Sequence, residues 1–169
     1  MSDELYYDTE SILFEVKTML LDPDIGINSQ IATINDEKSA IDTGNYGSIV
    51  VIPEIDDNAI YMLTVDQRME EYDYFIGLTI ESEEVDVAGG TRLKIGVNAY
   101  VLNTYDWLVD VRALRYRRAL QDVFDNHRLF GGLIQSREVG LKTVDALLGQ
   151  EMKPYRKVGI ALDLFYQKY

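Results

Sequence analysis

The sequence predicts an α+β fold in which a mostly antiparallel sheet packs against two helices. Three observations carry that expectation. Two segments repeat apolar residues at helical period, one at the start of the chain and one in its second half. Several others alternate apolar and polar residues at period two. The strand-like segments also come in runs, whereas a parallel α/β sheet would interleave them with helices one by one. At 169 residues and 47% apolar composition the chain is expected to form a single domain, 1–169, with a substantial core.

The first helix is expected over residues 2–21. Leu5, Ile12, Leu13, Val16, Met19 and Leu20 fall near one face, and Asp3, Glu4, Asp8 and Glu10 crowd the end where the helix dipole favours negative charge. Asp22-Pro23 stops it, because a residue before proline is pushed out of the helical region. Residues 22–47 read as an irregular connection with a short strand at 31–34 and turn chemistry in Asp42-Thr43-Gly44-Asn45-Tyr46-Gly47. A β-branched strand is expected at 48–52, ending at Pro53, and another at 60–65 after the turn Asp56-Asp57-Asn58. Tyr74, Ile76, Leu78 and Ile80 alternate as in a half-buried strand. Residues 81–92, with Glu81, Glu83, Glu84, Asp86, Gly89, Gly90 and Arg92, read as a long, acidic, hairpin-like loop joining that strand to the next, which has Ile95, Val97, Ala99 and Val101 on one side.

The second helix is expected over 107–129. Val109, Ala113, Tyr116, Leu120, Val123, Phe124 and His127 form one stripe, and Gly131-Gly132 ends it. After a connecting region with an extended piece at 139–144, broken by Gly149 and Pro154, the final strand alternates Val158, Ile160, Leu162, Leu164 and Tyr166 with Gly159, Ala161, Asp163, Phe165 and Gln167. Both of its faces carry apolar groups, which predicts an interior place in the sheet.

Charge is distributed unevenly. Residues 1–90 hold 21 acids against 3 bases, and residues 91–169 hold 8 acids against 13 bases, in a chain of net charge −13. One reading is an uneven solvated surface; the other is a polar subunit whose basic face meets the acidic face of a neighbouring copy. The acidic balance argues against generic nucleic-acid binding. No apolar run approaches membrane-spanning length, and Met1-Ser2-Asp3-Glu4 is unlike a secretory or mitochondrial leader. The chain has no cysteine, which excludes disulfides, thiolate zinc sites and thiol nucleophiles and fits a cytosolic setting.

Catalytic signatures are weak throughout. His127 is the single histidine and lies in the apolar stripe, where a packed or helix-end histidine is the simpler reading. Asp22-Pro23-Asp24-Ile25-Gly26-Ile27-Asn28 departs from a calcium loop, with glycine at the fifth position and Thr33 at the twelfth. Glu81, Glu83, Glu84 and Asp86 could pair as acid and base, but clustered acids in a polar loop are usually solvated. Gly89-Gly90 lacks the lysine of a phosphate-binding loop. No catalytic residue, metal or cofactor is therefore expected. Arg112, Arg115, Arg117 and Arg118 give the second helix a positive side, either as a subunit interface or tethered to acids of the same chain such as Asp110, Asp122 and Asp125.

This layout resembles the tail terminator, or tail completion, proteins of long-tailed bacteriophages. The resemblance is architectural and covers most of the chain. It runs from the N-terminal helix and acidic hairpin through Leu93-Lys94-Ile95-Gly96-Val97-Asn98-Ala99-Tyr100-Val101 and Arg115-Tyr116-Arg117-Arg118-Ala119-Leu120 to Val158-Gly159-Ile160-Ala161-Leu162-Asp163-Leu164. Members of that family are often shorter, and the stretches 22–47 and 130–156 would be the additions. The resemblance implies a virion protein, assembled in the host cytoplasm, that forms a homohexameric ring at the phage neck. Its partners would be further copies of itself, the tail tube protein and the head-closure or connector protein, with DNA passing through the lumen without specific binding. On that footing the 81–92 loop is the candidate contact to the tube or a neighbouring subunit. Another neck ring, or a small monomeric hydrolase, are the alternatives.

Overall fold

The computed structural model describes residues 8–62, 72–126, 134–148 and 151–167. Helix α1 spans Thr9–Leu20. Asp8 caps it by accepting the Ser11 amide at 2.7 Å, and Ile12, Leu13, Val16, Met19 and Leu20 are buried as their spacing predicts. The part of this helix expected at 2–7 lies outside the described residues. Asp22 accepts the amides of Asp24 and Ile25, so the Asp-Pro-Asp stretch is a side-chain-closed turn leading into the next helix.

That next element corrects the expectation for 22–47. Residues Ile27–Tyr46 form a twenty-residue helix, α2, with no strand at 31–34. Its buried side is narrow: Ile27, Gln30, Ile31, Ile34 and Asp42. Helix-poor Asn, Asp, Ser, Thr and Gly take nine of the other fifteen positions, so local propensity gives this helix little support beside what tertiary contacts hold. The turn chemistry at its end is real but confined to Gly47, whose φ of 77° closes the helix as a left-handed cap, with its amide on Thr43 O.

The strand expected at 48–52 is also absent. The segment is extended, with Val50, Ile52 and Ile55 buried and Ile49 and Val51 exposed, but it pairs with no strand among the described residues. Its backbone bonds go instead to side chains of α2. Asp42 Oδ2 accepts the Val50 amide at 3.0 Å; Asn35 accepts the Ile52 amide and donates to the Ile52 carbonyl, each at 3.0 Å; Asn28 does the same for Ile55 at 2.8 and 2.9 Å. Asn28, Asn35 and Asp42 are seven residues apart, so two helical turns bring each successive side chain back to the same face. A row of side chains thus serves the segment in place of a sheet partner.

The sheet has five strands in the order β1-β2-β3-β5-β4. They are β1 (Ile60–Met62), β2 (Tyr74–Val85), β3 (Gly90–Leu102), β4 (Ile134–Leu148) and β5 (Glu151–Gln167). A short 3₁₀ turn, Asp57–Ala59, leads into β1, which pairs with β2 in parallel; every other pairing is antiparallel. The end of the strand expected at 60–65 lies outside the described residues. β5 is interior as predicted, paired with β3 from Tyr155 to Gln167 and with β4 on its other side.

Two boundaries change. Residues 81–92 are not a long loop: β2 runs on to Val85 and β3 begins at Gly90, leaving a short turn. Pro154 does not break the chain before the last strand but lies inside β5 opposite Asp145, and the extended piece expected at 139–144 belongs to the longer β4. The Pro154 carbonyl accepts the Asn103 amide just past the end of β3, so its missing N–H falls where that ladder has already stopped.

Helix α3 spans Leu108–Asn126 and packs on β3, β4 and β5. Val109, Ala113, Tyr116, Leu120, Val123 and Phe124 are buried as the stripe predicts, while His127 and Gly131-Gly132 lie outside the described residues. One apolar cluster joins these side chains to Ile12 and Val16 of α1 and to Ile95, Val97, Ile160 and Leu162 of the sheet. Each such side chain contributes about 1.5–3 kcal/mol on burial. The result is the α+β fold, with a third helix added to the two expected. No helix among the described residues is long and apolar enough to cross a membrane.

Candidate functional site

The four arginines of α3 do not share one fate. Arg115 is 6% exposed, so it is no surface residue. Its Nη2 and Nη1 reach the two carboxylate oxygens of Asp42 at 2.5 and 3.0 Å, and Nη1 also donates to the Val50 carbonyl at 2.5 Å. Asp42 is fully buried, and the Arg115 hydrogen bonds hold its carboxyl below the usual carboxylate range, against burial, with help from the Val50 amide. The Arg115 guanidinium lies 6.0 Å from the centre of the Tyr46 ring. This fork joins α2, α3 and the extended segment, and it removes Arg115 from any subunit interface.

Arg118 is exposed at its tip and pairs with Glu37 of α2 at 2.7 Å, with Asp122 3.5 Å from its Nε. Those hydrogen bonds lower the Glu37 carboxyl and raise Arg118. Arg112 is half-buried; it holds Asp106 at 3.0 Å and Thr104 at 3.2 Å. Arg117 is half-buried on the same helix. Lys94 meets Glu81 across the β2–β3 pair at 3.5 Å. Asp42, Glu37 and Glu81 come from the acidic first half and Arg115, Arg118 and Lys94 from the basic second half. Part of the charge asymmetry is therefore spent inside one chain, holding α2 on α3. Asp122 is one of the acids expected to tether the arginines; Asp110 instead takes Arg156 at 2.7 Å.

Above the fork lies an open groove of about 280 Å³ between α2 and α3, lined by Lys38, Ile41, Asp42, Asn45, Tyr46, Val111, Leu114, Arg115 and Arg118. Ile41 and Leu114 are exposed large apolar residues on its two walls. Trp107, 63% exposed, tilts against Tyr46 with ring centres 5.3 Å apart and continues the apolar surface. The turn carrying it is held firmly. Asn103 accepts the Tyr105 amide at 2.9 Å, Thr104 bonds Asp106 at 2.7 Å, and Tyr105 sits at a φ of 57° that non-glycine residues seldom adopt. Tyr105 is itself exposed.

The second surface is the end of the β2–β3 hairpin. Asp86 builds its turn by accepting the amides of Ala88 and Gly90 at 2.9 and 2.8 Å, while Gly89 takes a φ of 85°. Val85 and Val87 point into solvent, and exposed Phe165 lies over Gly90 from β5. Glu83, Glu84 and Asp86 surround these groups, with Arg92 opposite Glu84 in the ladder. A recess of about 280 Å³ lined by Glu84, Val85, Asp86, Gly90 and Arg92 opens beside the turn. Glu83 is also tied to the start of α1, accepting Thr9 Oγ1 at 2.8 Å.

The loop residues singled out from the sequence are therefore brought together at one end, and the arginines are divided between interior and surface. Sequence reasoning missed Ile41, Tyr46, Trp107 and Leu114 as a surface, because α2 was not read as a helix. Asn28, Asn35 and Asp42 at seven-residue spacing were the available signal. Among the described residues no group of three or more His, Asp or Glu side chains is placed to hold a metal ion. No protein-family model matches the sequence, and no curated protein is significantly similar to it.

Proposed function

We propose that this chain is a structural subunit of a homomeric ring at the neck of a long-tailed phage, a tail terminator that ends the tail tube and joins it to the head connector. The observation that carries the reading is the pair of exposed apolar surfaces at opposite ends of β3, one rimmed by acids and the other set in a basic stretch of helix. A ring closed by head-to-tail contacts requires two different, complementary patches on every subunit. The elements also follow in the order on which the family resemblance rests: α1, the β2–β3 hairpin, α3 and the closing strand β5. α2 and β4 fall in the two stretches that lengthen this chain relative to that family. A net charge of −13 suits a lumen through which DNA must slide without sticking.

The test is the mass of the purified protein by light scattering at low and at physiological salt, together with co-sedimentation on purified tail tubes. A ring mass, or capture by tube ends, is expected. A protein that stays monomeric at both salts and ignores the tubes overturns the reading.

A further inference from the structure

The two exposed surfaces lie at opposite ends of one strand. β3 begins at the hairpin turn and ends beside the turn that carries Trp107, thirteen residues later, which is roughly 40 Å of extended chain. α3 then runs back along the sheet, so the first half of α3 and the second half of α2 form their groove far from the hairpin. A single chain cannot bring the two together.

We propose that the hairpin tip of one copy seats in the α2–α3 groove of the next copy. This deepens the ring reading, on which it rests for the existence of a next copy, by naming the contact. Chemistry pairs the two ends. The tip presents Val85 and Val87 among four acids and one base, Arg92, within residues 81–92. The groove presents Ile41 and Leu114, and the cation of its α3 wall that reaches solvent is Arg118, since Arg115 beneath it is already taken by Asp42. Arg118 stands at the rim with Glu37 in an exposed pair, which an incoming carboxylate can exchange for at little cost. Lys38 stands on the other wall.

Size and rigidity point the same way. At about 280 Å³ and open to solvent along its length, the groove has room for a pair of side chains. The tip is preorganised by Asp86 and Gly89, and the groove floor by the Arg115–Asp42 fork, so little ordering remains to be done on contact. A contact between unlike surfaces repeats around a ring until it closes.

The chain has no cysteine, so single cysteines report directly on this contact. Val87→Cys and Leu114→Cys alter exposed side chains outside the core. The two full-length variants, mixed in equal amounts and oxidised, should cross-link to each other well beyond the half share of mixed pairs that random collision gives. A random distribution, or a predominance of self-pairs, overturns the proposal. If wild-type rings persist by light scattering while the cross-links are random, the contact is wrong and the ring reading stands. If Val87→Cys cross-links only to tail tubes carrying a surface cysteine, the tube is the occupant and the proposal fails. Val87→Glu and Leu114→Glu give a second readout: each alone should lose the assembled form, and their mixture should stop at a dimer containing one of each.

Discussion

Two extended segments of this chain satisfy their backbones in opposite ways. β3 has a strand on either side and spends its amides and carbonyls in ladders with β2 and β5. The segment around Val50 to Ile55 has similar residues, β-branched and alternately buried, yet draws its partners from side chains of α2 and from Arg115 and Tyr116 of α3. In the sheet, backbone pairs with backbone, and many side-chain replacements leave the bonds in place. On α2 each bond depends on one particular side chain. The extended segment should therefore be vulnerable to single substitutions in a way that β3 is not.

The largest effect is expected at the fork. Arg115→Met removes the guanidinium that grips both oxygens of the Asp42 carboxylate and leaves a buried charge with no cation against it. Losing one member of a buried ion pair costs about 3–5 kcal/mol. Chemical denaturation should show that loss, and Asp42→Asn added to Arg115→Met should recover part of it by removing the stranded charge. A near-neutral Arg115→Met would mean that the segment is held without the fork, and the contrast with β3 would weaken. It follows that acidic replacement of Arg112, Arg115 and Arg118 together cannot test a subunit interface, because the Arg115 change attacks the fold itself.

A smaller loss is expected at Asn35. Alanine there leaves the Ile52 amide and carbonyl without their side-chain partner beside a residue that is 1% exposed, at a cost of about 1–3 kcal/mol. Alanine is also the better helix former, so propensity alone predicts a gain. The sign of the change in unfolding midpoint therefore decides between the two: a fall supports the side-chain row, and a rise shows that α2 does not need it. Asn35→Asp sharpens the test, since a carboxylate can accept from Ile52 but cannot donate to its carbonyl.

The same contrast explains what could be read in advance. β2, β3 and β5 carry period-two patterns in their own sequences, and α3 carries its buried stripe, so each declares itself locally. The strand at 48–52 was expected because its residues fit a pleated, half-buried surface, and that much is correct; what the residues do not encode is whether the neighbour is a strand or a row of amides. α2 was illegible for the converse reason. Asn28, Asn35 and Asp42 look like turn formers until their seven-residue spacing is matched to a partner, and the helix exists to present them. Arg115 looked like its neighbours Arg112 and Arg118, because only the position of α2 distinguishes a buried arginine from an exposed one. The 81–92 stretch reads as a hairpin-like connection, but how far its strands run does not show, because exposed strand residues on both faces of a hairpin end carry no burial pattern.

The smallest effect is expected one turn further along α3, where the same chemistry meets water. Arg118 grips Glu37 with two bonds, at 2.7 and 3.2 Å, in a geometry close to that of Arg115 on Asp42, and both pairs join α2 to α3. Glu37 and Arg118 keep their solvent, however, so the attraction is screened and neither charge has been stripped of water. Glu37→Gln should leave the unfolding midpoint essentially unmoved in physiological salt, while Arg115→Met moves it by several degrees or more. If the two variants cost alike, burial is not what separates the fork from the surface pair. The side-chain row would then owe its strength to the packing of α2 on α3 as a whole, and not to the individual bonds that reach the extended segment.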